Sequence, residues 1–313
     1  MPRSAHLGDW FMLFALTIFW GTSFLFNELA LQAFPPAVLV LSRLLLALVA
    51  LGAFLLLSGR RLPRPGRAWV SWAVIAVLGA LLPMRLTAWA QQHIGSAETG
   101  ILMAVSPLLV FTLAHFFLPG ERLTPFRLVG FVIGFGGVVL VLGPDALGGL
   151  SGNLELLGML AVLGAALSYS INSIYTRRAA GGQDPLVLAT GMMLLASLFN
   201  VPGAVEVSGA VAWPPSALAV VALLILGLVC SALASVLYFE LVRGPGPGFT
   251  TLVTYLVPVW ATLAGAGVLQ EHLPLRVWGG LALVLSGIAV SELGGFGLRR
   301  VRLRQRAAEP VNP

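Results

Sequence analysis

The sequence predicts an all-α integral membrane protein with ten transmembrane helices, arranged as two inverted five-helix repeats. The first reason is composition: of 313 residues, 58% are hydrophobic and only 10% are charged, whereas soluble domains contain about 25% charged residues. The second is that ten apolar stretches approach the ~20 residues that a helix needs to cross a bilayer. The third is an internal repeat, which places matching motifs in the two halves of the chain.

The predicted spans take up most of the chain and leave no room for a soluble domain. Their apolar runs are continuous rather than alternating, which argues against a transmembrane β-barrel. The first run is preceded only by Arg3 and lacks a small-residue cleavage site, so we expect a helix there and not a signal peptide. The spans are residues 9–31, 35–57, 69–91, 96–118, 124–142, 155–177, 185–205, 215–241, 247–269 and 274–294.

The repeat is clearest in residues 96–143 and 247–294. Each block has an apolar helix with a central proline, a loop with a glutamate, and a Gly-rich apolar helix. The offsets from the glutamate agree: Glu121, Leu123, Gly130 and Gly137 in one block, and Glu271, Leu273, Gly280 and Gly287 in the other. The expected units are a first repeat at 1–143, a linker at 144–154, a second repeat at 155–294 and a basic cytoplasmic tail at 295–313.

The arginines give the orientation. All 18 positive charges are arginines, and with the N-terminus inside, only Arg276 falls in an outer segment. Both termini are therefore predicted to be cytoplasmic, and the pI near 10.6 reflects this asymmetry rather than nucleic-acid binding. The tail is expected to contact anionic lipid. The inner arginines are Arg3, Arg60, Arg61, Arg64, Arg67, Arg122, Arg127, Arg177, Arg178, Arg243, Arg299, Arg300, Arg302, Arg304 and Arg306.

Five helices per repeat is an odd number, so the two halves begin on opposite sides of the membrane. Inverted repeats of this kind are typical of secondary transporters, whose substrate site lies between the halves near the middle of the bilayer.

Polar and aromatic residues within the spans predict a substrate cavity. In helix 1, Trp20, Ser23 and Asn27 share one helical face, and in helix 6 Tyr169 and Asn172 do the same. Such faces must contact protein or a wet cavity, so the alternative is packing between helices. The residues predicted to contact substrate are Trp20, Ser23, Asn27, Trp89, Met103, Tyr169, Asn172, Ser231, Tyr238, Thr254 and Tyr255.

Two central prolines occupy equivalent positions, Pro107 in helix 4 and Pro258 in helix 9. Each removes a helical hydrogen bond and frees the carbonyl four residues earlier, at Met103 and Thr254. Interrupted helices at corresponding positions point to a hinge beside the binding site; the alternative is a packing kink. The Gly-rich helices 5 and 10 are expected to be a scaffold or a dimer surface.

Four ionisable residues fall in the outer third of the predicted spans: Glu28, Arg43, Arg85 and Glu98. Charges at this depth are costly and are expected to face the protein interior with a partner. The cluster is therefore either a structural network of ion pairs, an outer gate, or a grip on a substrate carboxylate.

These features resemble EamA-type members of the drug/metabolite transporter superfamily. The resemblance rests on Trp20-Gly21-x-x-Phe24, on Arg43 in helix 2, and on the repeated Pro…Gly-Glu-x-Leu…Gly block, which reads Gln270-Glu271 in its second copy. It implies a bacterial inner-membrane exporter of amino acids and related metabolites, most similar to exporters of aromatic amino acids.

We therefore expect a secondary transporter that exports small metabolites, most of all aromatic or apolar amino acids, by alternating access. The alternative is a proton-coupled exporter of quaternary cations. The spans contain no His-Glu-x-x-His motif, Asp dyad or Cys/His cluster, so neither an enzyme nor a metal or other cofactor is expected. The expected partners are a small-molecule substrate and membrane lipid, in a monomer or weak homodimer.

Overall fold

The computed structural model describes residues 5–64, 66–118, 123–143, 153–179 and 182–308, with side chains up to Ser291 except at 247 and 248. The repeat glutamate Glu121 and residues 144–152 of the expected linker lie outside the described residues.

The described chain folds into helices alone, without β-strands, and the predicted ten-helix fold with two repeats is confirmed. By length and composition, α1 to α8 are long and apolar enough to cross a membrane, and the apolar segments Leu252–Val268 and Leu275–Ser291 are shorter. The helices are α1 Leu7–Leu31, α2 Pro36–Leu57, α3 Arg67–Ala90, α4 Ser96–Phe117, α5 Pro125–Leu142, α6 Leu154–Ala179, α7 Pro185–Glu206, α8 Ala217–Arg243, α9 Leu252–Val268 and α10 Leu275–Ala308.

Two of these helices contain a π-helical segment, Val77–Leu81 in α3 and Ile225–Leu233 in α8. A π turn widens the helix locally and occurs often at functional sites. In α3, the segment precedes Pro83, which has no N–H to bond the carbonyl four residues earlier. The sequence therefore explains the irregularity of α3 directly.

The proline helices α4 and α9 are interrupted at different points. In α4, the break separates Ser96–Met103 from Ser106–Phe117, and Pro107 lies in the first turn of the second segment, where a missing N–H is tolerated. In α9, the helix runs through Pro258 without a break and begins only at Leu252, after a short turn of helix. The interruption expected in both copies at the proline is therefore seen only in α4.

Three hydrophobic clusters hold the bundle together. One is formed by α2, α3, α7 and α8 around the buried Trp72. The second joins α4, α5, α6 and α10, and the third joins α1, α8 and α9 through residues such as Leu13. Met193, Met103 and Trp20 belong to or pack against the first, second and third cluster, and all three border one cavity.

Helices α5 and α10 pack against each other through glycines. A Cβ atom at Gly137 would lie 2.7 Å from the carbonyl oxygen of Gly280, and one at Gly287 would lie 2.8 Å from the Cα of Gly134. Only glycine permits this close approach. The two helices are therefore in close backbone contact, and their expected role as a scaffold or a dimer surface stays a prediction.

Candidate functional site

A cavity of about 430 Å³ lies between the helices of the two repeats. Its walls come from α1, α2, α3 and α4 of the first repeat and from α6, α7, α8 and α9 of the second. Binding sites for small ligands fall in the range of roughly 300–1,000 Å³. The cavity therefore has the size of a site for one small molecule.

The predicted stripe of α1 borders this cavity. Trp20, Ser23 and Asn27 all line it, and the Asn27 amide donates a 2.7 Å hydrogen bond to Oε1 of Gln91, just beyond the end of α3. Gln91 in turn donates from Nε2 to the carbonyl oxygen of Phe24, at 2.9 Å. Gln91 thus fixes the orientation of Asn27 and joins α1 to the end of α3.

The charged residue of the cavity wall is Arg43 of α2. Its Nε donates a 2.8 Å hydrogen bond to Oγ of Ser231 in the π-helical segment of α8. The Ser231 hydroxyl donates in turn to the carbonyl oxygen of Leu226, at 2.8 Å. Tyr169 of α6 lines the same cavity. The fold therefore brings three of the predicted residues together, although Arg43 and Ser231 are 188 positions apart in the sequence.

Met103, Thr254 and the two prolines also line the cavity. The carbonyl oxygen of Met103, expected to be free because of Pro107, accepts a 2.7 Å hydrogen bond from the hydroxyl of Ser106. The Thr254 hydroxyl donates to the carbonyl oxygen of Thr251, at 2.7 Å. The Met103 carbonyl therefore already has one hydrogen-bond donor within its own helix. The hinge role of Pro107 and Pro258 stays a prediction.

Four of the residues predicted to contact substrate do not border this cavity. Trp89 lies at the surface, with its ring 4.8 Å from that of His93. Asn172 packs directly behind Gly79, which itself lines the cavity. Tyr238 lies behind Trp20, at a ring separation of 5.6 Å, and Tyr255 packs against the second hydrophobic cluster. The predicted contact of these four residues with substrate stays a prediction.

The four ionisable residues do not pair with one another among the described side chains. Arg43 binds Ser231, and Arg85 donates from Nη1 to Oδ1 of Asn200, at 3.0 Å. Glu28 has a buried Oε2 without a hydrogen-bond partner in the described structure, and Glu98 lies in the first turn of α4. The expected ion-pair cluster is therefore absent there, because each arginine is turned toward a neutral partner in the second repeat.

Several lining residues were not singled out in the sequence. Met84, Met192 and Met193 form part of the wall, but a methionine in an apolar helix carries no signal of its own. Cys230 also lines the cavity; its position next to Ser231 would have identified it.

The glutamate of the second repeat has a structural function that the repeat pattern did not reveal. The Glu271 carboxylate accepts hydrogen bonds from the N–H groups of Ser96 and Ala97, at 2.9 and 3.1 Å, and from the Ser96 hydroxyl at 2.6 Å. Donors at a helix N-terminus favour a negative charge. Glu271 therefore caps α4 of the opposite repeat.

Comparisons with known proteins agree with this architecture. The model of the EamA-like transporter family matches the chain twice, at residues 7–143 and 156–293. An uncharacterized inner membrane transporter, YedA of Escherichia coli K12, is 30% identical over 91% of this chain and 90% of its own. The uncharacterized transporter YvbV of Bacillus subtilis is 24% identical, over 89% and 90%.

A chloroplastic WAT1-related protein of Arabidopsis thaliana, At3g02690, is 27% identical over 90% of this chain and 68% of its own. A solved crystal structure has the same fold, with a TM-score of 0.66 at 24% identity over 94% of this chain and 99% of that one.

Proposed function

Since the chain belongs to the EamA-like transporter family, we propose that it exports small metabolites, in particular amino acids with aromatic or other apolar side chains, across an inner membrane. The observation that carries the proposal is the cavity of about 430 Å³, which has both apolar walls and a few polar groups. This combination is typical of small-molecule sites.

The apolar walls suit a planar or flexible side chain. Trp20, Phe24 and Tyr169 offer aromatic faces, on which a ring can stack or contact edge to face. Met192 and Met193, which lie on the opposite helix α7, offer thioethers that adapt to different shapes. The proposed site therefore accepts a range of apolar side chains and not one ligand alone.

Alternating access would require the two repeats to move against each other around this cavity. The two inverted halves predicted from the arginine distribution supply such an arrangement. The break in α4 next to the cavity supplies a point at which one helix can bend. The proposal is therefore rocking of the repeats, with the cavity opening to each side in turn.

The test is flux from proteoliposomes loaded in turn with each of the twenty amino acids. We expect aromatic and large apolar amino acids to leave fastest. Trp20→Ala should raise the KM for phenylalanine roughly tenfold, because it removes an aromatic contact from the wall. Trp10→Ala is the matched control on the same helix, since Trp10 is a partly exposed residue that packs on Phe249.

Flux of no amino acid would refute the proposal. Equal flux by the Trp20→Ala and wild-type proteins would show that Trp20 is only a packing residue.

The competing function is export of quaternary cations. Trp20 and Tyr169 favour it, because aromatic faces attract a cation. Arg43 opposes it, because the same cavity then places two positive charges together. Toxic quaternary cations and toxic amino-acid analogues, compared in growth assays, separate the two functions.

A further inference from the structure

Arg43 differs from Arg85, another arginine within the predicted spans, in which part of its guanidinium is bonded and in bordering the cavity. Its Nε bonds Ser231, and neither of its terminal amino groups has a hydrogen-bond partner among the described residues. None of the carboxylates with described side chains forms an ion pair with it within 4 Å. Arg85, by contrast, uses a terminal amino group to bind Asn200.

A guanidinium carries five N–H donors in a rigid fork and stays charged in proteins. A charge held inside a membrane protein without a partner is costly. Arg43 nevertheless borders the cavity, so its unused donors are available to whatever occupies the cavity. The partner that best matches two parallel N–H donors is a carboxylate, which can accept both.

The hydrogen bonds of Ser231 determine the orientation of the Arg43 guanidinium. Ser231 lies in the π-helical segment of α8, and its hydroxyl proton is committed to the carbonyl oxygen of Leu226. The hydroxyl oxygen of Ser231 therefore acts only as an acceptor toward Arg43, and it accepts a hydrogen bond from Nε. The two terminal amino groups are therefore the part of the guanidinium that remains available for further hydrogen bonds.

We propose that Arg43 binds the carboxylate of the transported substrate and that Ser231 is the positioning residue that orients it. The inference rests on the proposed function and narrows it: the preferred substrates are carboxylates, either anionic or zwitterionic, and an amine without an acid group is a poor substrate. The apolar side chain of the substrate then lies against the aromatic residues and methionines of the wall.

The decisive experiment compares four matched probes in proteoliposomes: L-phenylalanine, 3-phenylpropionate, L-phenylalaninamide and phenethylamine. All four share the ring, and only the first two carry a carboxylate. In the wild-type protein, the two carboxylates should be transported roughly 10- to 100-fold better than the amide and the amine, the range expected for hydrogen bonds to a charged group. Equal transport of all four would overturn the inference while leaving the proposed exporter intact.

Single substitutions test which residue causes the preference for carboxylates. Arg43→Gln should raise the KM for phenylalanine and 3-phenylpropionate roughly 10- to 100-fold without raising the KM for phenethylamine, and Arg43→Lys should retain part of the preference. Ser231→Ala should raise the KM several-fold without lowering kcat, and Ser231→Thr should restore it. Arg85→Gln is the matched control and should keep the wild-type probe order. An unchanged probe order in Arg43→Gln would contradict the assignment.

Thermal stabilisation of the detergent-solubilised protein by 3-phenylpropionate separates this inference from the proposed function. If no amino acid is transported but 3-phenylpropionate stabilises the wild type and not Arg43→Gln, the exporter proposal fails and the carboxylate site stands. If the wild type is neither stabilised nor active, both fail.

Discussion

At the scale of single residues, Arg85 shows how a charge in a membrane helix is satisfied without an acid. Its Nη1 donates to Oδ1 of Asn200, whose amide donates to the carbonyl oxygen of Ala37 at 2.9 Å. This chain joins α3, α7 and the start of α2. We therefore expect Arg85 to be a structural residue, in contrast to Arg43 on the cavity wall.

Arg85→Gln should lower stability and spare transport. The shorter amide loses the charged hydrogen bond to Asn200, which contributes about 1–3 kcal/mol. We expect a lower unfolding temperature in detergent, with wild-type flux per folded protein. Arg61→Gln is the control, since Arg61 is exposed in the α2–α3 loop. A wild-type melting temperature in Arg85→Gln would contradict the structural role.

Sequence spacing was enough to predict which residues share one face of a single helix. Trp20, Ser23 and Asn27 are three and four positions apart, and helical geometry alone places them on one face. Arg43 was conspicuous because a charge in an apolar run is rare. Its partner Ser231 was not predictable as such, because that contact depends on how α2 packs against α8.

At the scale of helices, the two segments of α4 have different neighbours. The first segment, Ser96–Met103, packs against α9 so closely that a Cβ atom at Gly100 would lie 2.6 Å from that of Ala261. The second, Ser106–Phe117, packs against α6. Glu271 adds a further contact at the beginning of this first segment, where it caps α4. The cap thereby joins the two repeats at the end of the bundle that the arginines assign to the exterior.

Glu271→Gln should favour opening of the cavity to that side. Glutamine has one acceptor oxygen in place of two and carries no charge, so the cap on the α4 N-terminus weakens. The single cysteine, Cys230, lines the cavity and is a native reporter. A membrane-impermeant maleimide added outside should label it roughly tenfold faster, as expected for about 1.4 kcal/mol.

Glu155→Gln provides a matched control for this measurement. Glu155 is also an acid at the end predicted to be exterior, and it pairs with Arg276 at 3.8 Å, but its side chain is half exposed. Pairs of this kind contribute little, so the labelling rate should not change. Equal rates in both variants would show that the Glu271 cap does not hold the exterior end closed.

The helices themselves were largely predictable, and of their two π segments only that of α3 has a local cause in the sequence, Pro83. Continuous apolar runs of the right length gave the ten spans, since a bilayer admits few alternatives. The π segment of α8 contains no proline, and at its Gly227 the side chain of Leu46 from α2 approaches closely. Such contacts are made with other helices, so no local sequence pattern predicts them.

At the scale of the whole molecule, the two repeats are similar but unequal. The chain interrupts α4 and leaves α9 continuous through its proline. The two repeats also differ in the cavity, because Arg43 comes from the first repeat and its hydrogen-bond partner Ser231 from the second. Each repeat therefore supplies a different part of the cavity wall.

The chemistry of the cavity bears on how transport is driven. Proton antiport requires a titratable acid that the substrate and the proton occupy in turn. The cavity residues that the structure describes include Arg43 but no aspartate or glutamate. We therefore expect facilitated export, with flux of phenylalanine from proteoliposomes unchanged when an ionophore collapses the proton gradient.

The strongest competitor for a proton-carrying role is Glu28. It follows Asn27 of the cavity wall directly, and its Oε2 is buried without a hydrogen-bond partner in the described structure. If an imposed pH gradient drives phenylalanine uphill and Glu28→Gln abolishes that accumulation while preserving downhill flux, antiport through Glu28 replaces facilitated export. If Glu28→Gln and the wild type both equilibrate phenylalanine at the same rate with and without the gradient, Glu28 is a structural acid beside the Glu271 cap.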